Sequence, residues 1–84
     1  MSITVYTRRL CAYCTAAKQL LDTQGFDYDE VNLDTDPDLA LQIMQRSGQR
    51  TVPQIFVGEQ SIGGFQELYQ KINSGEFATL LEKN

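Results

Sequence analysis

Cys11 and Cys14 are the only cysteines in an 84-residue chain that contains no histidine. Ala12 and Tyr13 separate them, so the motif is Cys-x-x-Cys. Two thiols at this spacing read first as a redox pair. Their setting supports that. Ile3-Thr4-Val5-Tyr6-Thr7 before them alternates apolar and polar residues, and a run with helical spacing follows. A pair at a strand-to-helix junction meets the unpaired N–H groups of a first helical turn and the positive end of the helix dipole. Both favour the thiolate, the form that attacks disulfides. A purely structural disulfide is a poor alternative, because so short a loop removes little chain entropy. A zinc site within one chain is equally poor. Such sites take four Cys or His ligands, and this chain has two thiols and no imidazole.

Charge sharpens the picture. The net charge is −4, which argues against general nucleic-acid binding. The first 21 residues hold Arg8, Arg9 and Lys18 and no acid. Asp22 to Asp38 holds Asp22, Asp27, Asp29, Glu30, Asp34, Asp36 and Asp38 and no base. The cysteines are thus expected in a basic neighbourhood, which favours the thiolate further, with the acidic stretch as a solvated face. The apolar runs are too short for a membrane span, and Met1-Ser2-Ile3-Thr4 lacks a signal-peptide pattern. The expectation is a cytoplasmic monomer folded as a single domain over 1–84, with two cysteines in a reducing compartment more often reactive than structural.

The elements that must position the pair follow from periodicity. Ile3 to Thr7 reads as a strand, and Arg8 to Leu10 as the turn. A helix over about Ala12 to Gln24 places Tyr13, Ala17, Leu20, Leu21 and Gln24 on one stripe, and Gly25 ends it. Phe26 to Leu33 reads as a second strand. Asp34-Thr35-Asp36-Pro37 starts a helix that turns Leu39, Ala40, Ile43 and Met44 inward and ends at Gly48. Gln54 to Val57 is an apolar, central strand. Gly58-Glu59 is a two-residue turn, and Gln60 to Ile62 returns as its hairpin partner. A third helix carries Phe65, Leu68, Tyr69 and Ile72 on one face, with Phe65 the candidate for a groove-facing role. Phe77, Leu80 and Leu81 mark a short last helix. The order β-α-β-α-β-β-α plus a short C-terminal helix makes an α/β fold. Its four-stranded mixed sheet opens with a right-handed parallel βαβ unit and is flanked by helices on both faces.

Tyr6-Thr7-Arg8, Cys11-Ala12-Tyr13-Cys14, Thr51-Val52-Pro53 and Gly63-Gly64 stand in an order and spacing that resembles a glutaredoxin of the thioredoxin-fold superfamily, over about residues 3 to 82. The resemblance implies a glutathione-dependent thiol–disulfide oxidoreductase. It matches Cys11 to the nucleophile and Cys14 to the resolving thiol. It matches Pro53 to a cis-proline beside Cys11, and Val52 to the residue whose backbone pairs with the cysteinyl part of glutathione, with Thr51 before it. Arg8 matches a cation for a glutathione carboxylate, Tyr13 lines the groove, and Gln49 contributes a polar contact. Gly64, Phe65 and Gln66 match the turn and helix start that hold the γ-glutamyl carboxylate.

Two positions depart from the family pattern. Ala12 stands where proline is commonest. Gln66 stands where aspartate often meets the glutathione amino group, so glutathione binding is weaker unless Glu67 compensates. Glutathione is the expected co-substrate. Disulfide-containing or glutathionylated proteins, ribonucleotide reductase among them, are the expected partners. Two alternatives accompany this reading. One is a dimer holding a [2Fe–2S] cluster through one Cys11 from each chain and two glutathiones, which Ala12 makes less remote. The other is a redoxin recharged by thioredoxin reductase.

Overall fold

A computed structural model describes residues 2–83. Met1 and Asn84, the ends of the expected 1–84 domain, lie outside the described residues. The elements run β1 (Ile3–Thr7), α1 (Ala12–Thr23), β2 (Asp29–Asn32), α2 (Pro37–Ser47), β3 (Gln54–Val57), β4 (Gln60–Gly63), α3 (Phe65–Ser74) and α4 (Glu76–Lys83). The sheet order is β2-β1-β3-β4. β1 pairs parallel with β2, with Val5 opposite Glu30 and Thr7 opposite Asn32. β1 and β3 are antiparallel, with Val5 opposite Ile55, and β3 and β4 form the hairpin. The expected mixed four-stranded sheet is therefore present, and β3 is central and buried along its whole length.

Alternation along the central strands divides the interior. Ile3, Val5, Ile55 and Val57 join Ala17 and Leu21 of α1, Leu68 of α3 and Phe77 of α4 in one buried cluster. Phe56 points the other way. Tyr6 meets it edge-on at 5.4 Å, and the Arg46 guanidinium of α2 lies 5.2 Å from its ring centre. α2 thus covers the second face with buried Ala40 and Ile43. Burial of these side chains on both faces, at roughly 1.5–3 kcal/mol each for the large ones, keeps both central strands from shifting register.

Local signals account for the ends of the elements. The Asp36 carboxylate accepts from the Leu39 N–H at 3.0 Å, and Pro37 follows as first helical residue, which is how a capped helix begins. Gly58 supplies the positive φ, 59°, at the tight β3–β4 turn. Three expectations need correction. β2 is shorter than 26–33, because Phe26 closes α1 with its N–H on the Leu21 carbonyl. At the other end the Asn32 side chain turns the chain by accepting from the Asp34 N–H. The buried stripe of α1 is Cys14, Ala17 and Leu21, while Tyr13 is 62% exposed and Gln24 is the C-cap. Tyr69 is half exposed rather than core, and its ring lies 6.1 Å from that of Phe65.

Candidate active site

Cys11 is the N-cap of α1, with extended backbone. Its sulfur accepts a hydrogen bond from the Cys14 N–H at 3.1 Å, the bond a serine or aspartate oxygen makes at other helix starts. The two sulfurs are joined as a disulfide, with Cα atoms 5.2 Å apart. Cys14 is 2% exposed, whereas Cys11 is half-buried. The pair therefore has an accessible outer sulfur and a shielded inner one. Once the disulfide is opened, the N–H that now points at Cys11 points at a free sulfur, where it favours the anion.

The loop before β3 supplies the facing wall. The Val52–Pro53 bond is cis, and the Val52 carbonyl oxygen lies 3.7 Å from the Cys11 sulfur. An open groove of about 360 Å³ runs from there, lined by Tyr13, Thr51, Val52, Pro53, Gly64, Phe65, Gln66 and Glu67. The Tyr13 and Phe65 rings, 5.9 Å apart, form its apolar side. Gly64 caps α3, so its first turn of N–H groups opens onto the groove. Gly63 has φ 118°, and a Cβ there would come within 2.9 Å of the Glu67 side chain. Only glycine satisfies both the backbone and the contact.

Of the residues singled out in the sequence, Tyr13, Thr51, Val52, Pro53, Gly64, Phe65 and Gln66 thus meet in one groove beside Cys11. Arg8 and Gln49 do not line it. Arg8 borders a separate cleft with Leu33, Asp34 and Met44, and its guanidinium pairs with Asp34 at 3.5 Å. Gln49 serves through its backbone: its N–H donates to Ser47 Oγ and its carbonyl accepts from Gln54 Nε2 at 2.9 Å. Gln54 is a buried amide, and its one signal in the sequence is a polar residue in an otherwise apolar strand. It ties the loop carrying Thr51 to Pro53 to the strand that follows. Glu67 lines the groove, and its Oε1 accepts from the Gly64 N–H at 2.7 Å. Its carboxylate therefore caps the helix whose N-terminus Gln66 shares.

The expected basic neighbourhood is largely neutralised. Asp34 pairs with Arg8 and also accepts from the Arg9 backbone N–H at 2.7 Å. Glu30 pairs with Lys18 at 3.2 Å and accepts from the buried Thr7 hydroxyl at 2.8 Å. Thr7, and Lys18 after it, hold the Glu30 carboxyl below its usual range against the opposing effect of burial. The parallel pairing of β1 with β2 brings the acidic stretch beside the basic one, so charges far apart in sequence meet in space. Among the described residues no group of three or more His, Cys, Asp or Glu is placed to hold a metal ion, and no helix is long and apolar enough to cross a membrane.

A Cys-x-x-Cys disulfide at a helix start, faced by a cis-proline loop on a β2-β1-β3-β4 sheet, defines a thiol–disulfide oxidoreductase of the thioredoxin fold. The glutaredoxin family model matches residues 3–62. A glutaredoxin of Neisseria meningitidis serogroup A is 44% identical over 81 residues, 95% of each chain. Glutaredoxin 3 of Escherichia coli is 37% identical over 81 residues, 96% of this chain and 98% of its own. The crystal structure of a buckwheat glutaredoxin–glutathione complex superposes with a TM-score of 0.85 at 32% identity, covering 96% of this chain and 76% of that one. The chain belongs to the glutaredoxin family.

Proposed function

We propose that the protein is a glutathione-dependent thiol–disulfide oxidoreductase that reduces glutathione mixed disulfides and protein disulfides. In the one-thiol route the Cys11 thiolate attacks the glutathione sulfur of a protein–glutathione disulfide. A bond forms between Cys11 and glutathione, and the protein sulfur leaves with the electron pair of the broken bond and takes up a proton. The thiolate of a second glutathione attacks the bound one. Oxidised glutathione departs, and Cys11 is again a thiolate. In the two-thiol route Cys11 attacks a protein disulfide, and Cys14, having lost its proton, attacks Cys11 and releases the reduced protein. Two glutathiones then reduce the Cys11–Cys14 bond and leave as one molecule of oxidised glutathione.

The observation that carries this reading is the groove leading from the Cys11 sulfur, 3.7 Å from the Val52 carbonyl, to the N-terminus of α3 at Gly64. In this reading Val52 offers its backbone to the cysteinyl part of glutathione, as an extended edge offers hydrogen bonds to a peptide. Thr51 and Pro53 shape that edge, and Tyr13 stacks along the ligand. The N–H groups at Phe65 and Gln66 take the γ-glutamyl carboxylate, and the Gly64 N–H joins them only by leaving the Glu67 carboxylate. Arg8 meets the other carboxylate only by leaving Asp34, and Gln49 reaches the ligand only by turning its side chain toward the groove. The likeness to a relative solved with glutathione supports the same ligand. The partners are disulfide-containing or glutathionylated proteins, and the place of action is a reducing compartment such as the cytoplasm.

The test is glutathione-coupled reduction of a glutathione mixed disulfide, run beside the same assay coupled to thioredoxin reductase. Cys11→Ser abolishes turnover. Cys14→Ser keeps much of it on the mixed disulfide and loses reduction of a protein disulfide. Equal loss in both variants on the mixed disulfide overturns the one-thiol route. Faster turnover with thioredoxin reductase overturns glutathione dependence.

A further inference from the structure

Leu10 stands immediately before the attacking cysteine with φ 54°. Among the described residues it is the only one other than glycine with a positive φ. The β1–α1 turn needs that left-handed backbone to lead into the Cys11 cap, and Asp34 holds the turn through the Arg9 N–H. Glycine or asparagine meets the need cheaply, whereas a leucine there crowds its Cβ against the backbone. Leucine gains nothing in return from burial, since it is 99% exposed. A strained, fully exposed apolar side chain next to a nucleophile contributes nothing visible to the fold, and such outliers cluster at functional sites.

Its position says what meets it. The groove assigned above to glutathione is lined by Tyr13, the Thr51 to Pro53 loop and the start of α3, and Leu10 is not among its walls. A glutathionylated polypeptide under attack by Cys11 has two halves. Glutathione occupies the groove, and the leaving polypeptide lies outside it, where Leu10, next to Cys11 in the chain and fully exposed, is open to contact. We propose that Leu10 is a specificity-determining residue for polypeptide disulfides: it packs against an apolar side chain next in sequence to the substrate's cysteine. The proposal rests on the glutathione-dependent reading and deepens it. The chemistry is unchanged. The Cys11 sulfur bonds to the attacked sulfur, the S–S bond breaks, and the leaving thiolate carries off the electron pair.

Two glutathionylated peptides of equal length and charge test this, one with leucine and one with serine on both sides of the cysteine. In the glutathione-coupled assay kcat/KM favours the leucine peptide about fivefold, as partial burial of one such side chain gives. Leu10→Asn, which tolerates the left-handed backbone, brings the ratio close to one, and Leu10→Met restores it. Because the readout is a ratio, a change common to both peptides cancels. An equal ratio in the wild type and Leu10→Asn overturns the proposal, as does a wild type with no preference. Leu10→Asn also melts at or above the wild-type temperature; a fall of several degrees assigns Leu10 to the fold and overturns it as well. A small, non-peptide glutathione mixed disulfide runs alongside. Loss of turnover on all three substrates sinks the glutathione reading and this proposal with it, whereas turnover without preference sinks this proposal alone.

Discussion

Gln66 is the residue at which this chain differs most usefully from its family's common pattern. In the proposed glutathione site, a ligand amino group at the start of α3 meets the Gln66 amide, not a carboxylate. The nearest acid, Glu67, is already bonded to the Gly64 N–H. To serve the ligand it has to give up a helix cap, which works against compensation. Gln66→Asp therefore lowers KM for the glutathione mixed disulfide about fivefold, the worth of one exposed charge-assisted contact of about 1 kcal/mol. Steady-state kinetics check it: an unchanged KM with Gln66→Asp means that Glu67 already supplies the charge. Arg8 makes a similar point. In the sequence it is a free cation beside a thiol; in space it is paired with Asp34.

The element that matters most is the first turn of α1. Four causes were available for an activated Cys11: the helix cap, Arg8, Arg9 and Lys18. Arg8 and Lys18 are paired with Asp34 and Glu30; of the remaining two, the cap is the one in direct contact with the sulfur. The Cys14 N–H on the Cys11 sulfur, at 3.1 Å, is its direct trace. Alkylation of the reduced protein, followed against pH, is expected to inflect below about 8.5, the free-thiol value. An inflection at 8.5 shows that the cap contributes nothing. The same helix explains why Tyr13 is exposed where periodicity put it on the core stripe. Burial begins at Cys14, one residue later, because the outer end of α1 borders a groove and not the sheet.

Across the whole molecule, the two oppositely charged segments are stitched together by the β1–β2 pairing. Glu30 is the central stitch, joining Thr7 of β1 and Lys18 of α1. Its carboxyl is held below the usual range, chiefly by the Thr7 hydroxyl. A depressed carboxyl stabilises the fold above its unfolded value, about 4.3, and that contribution disappears as pH falls through the folded value. Glu30→Gln thus costs about 0.5–1 kcal/mol at pH 7, discounted because the side chain is 39% exposed, or roughly 3–6 °C in Tm. The difference from wild type shrinks as pH falls through the folded value. Denaturant unfolding at pH 7 and down through the acid range measures it, and a difference that does not change with pH removes Glu30 as a charged stitch.

Local chemistry made much of this protein legible in one dimension. Alternation in Ile3 to Thr7, the Asp36-Pro37 start, the Gly58-Glu59 turn and the Cys-x-x-Cys junction each depend on neighbours a few residues away, so β1, α2, the hairpin and the N-cap of α1 follow from the sequence alone. The gathering of Tyr13, Thr51 to Pro53 and Gly64 to Gln66 into one groove was legible only by resemblance, since no short-range rule joins residues so far apart. Three features needed the tertiary structure outright. The partners of Arg8 and Lys18 come from β2 and the loop after it. The Gln54 amide holds a loop that only the fold brings beside Cys11. Glu67 is a helix cap and not a free charge. The ion pairs join segments distant in sequence, where the energy comes from how strands pair and not from any residue's own preference. The Gln54 and Glu67 contacts span only a few residues, but each side chain has several partners within reach and the folded backbone selects one.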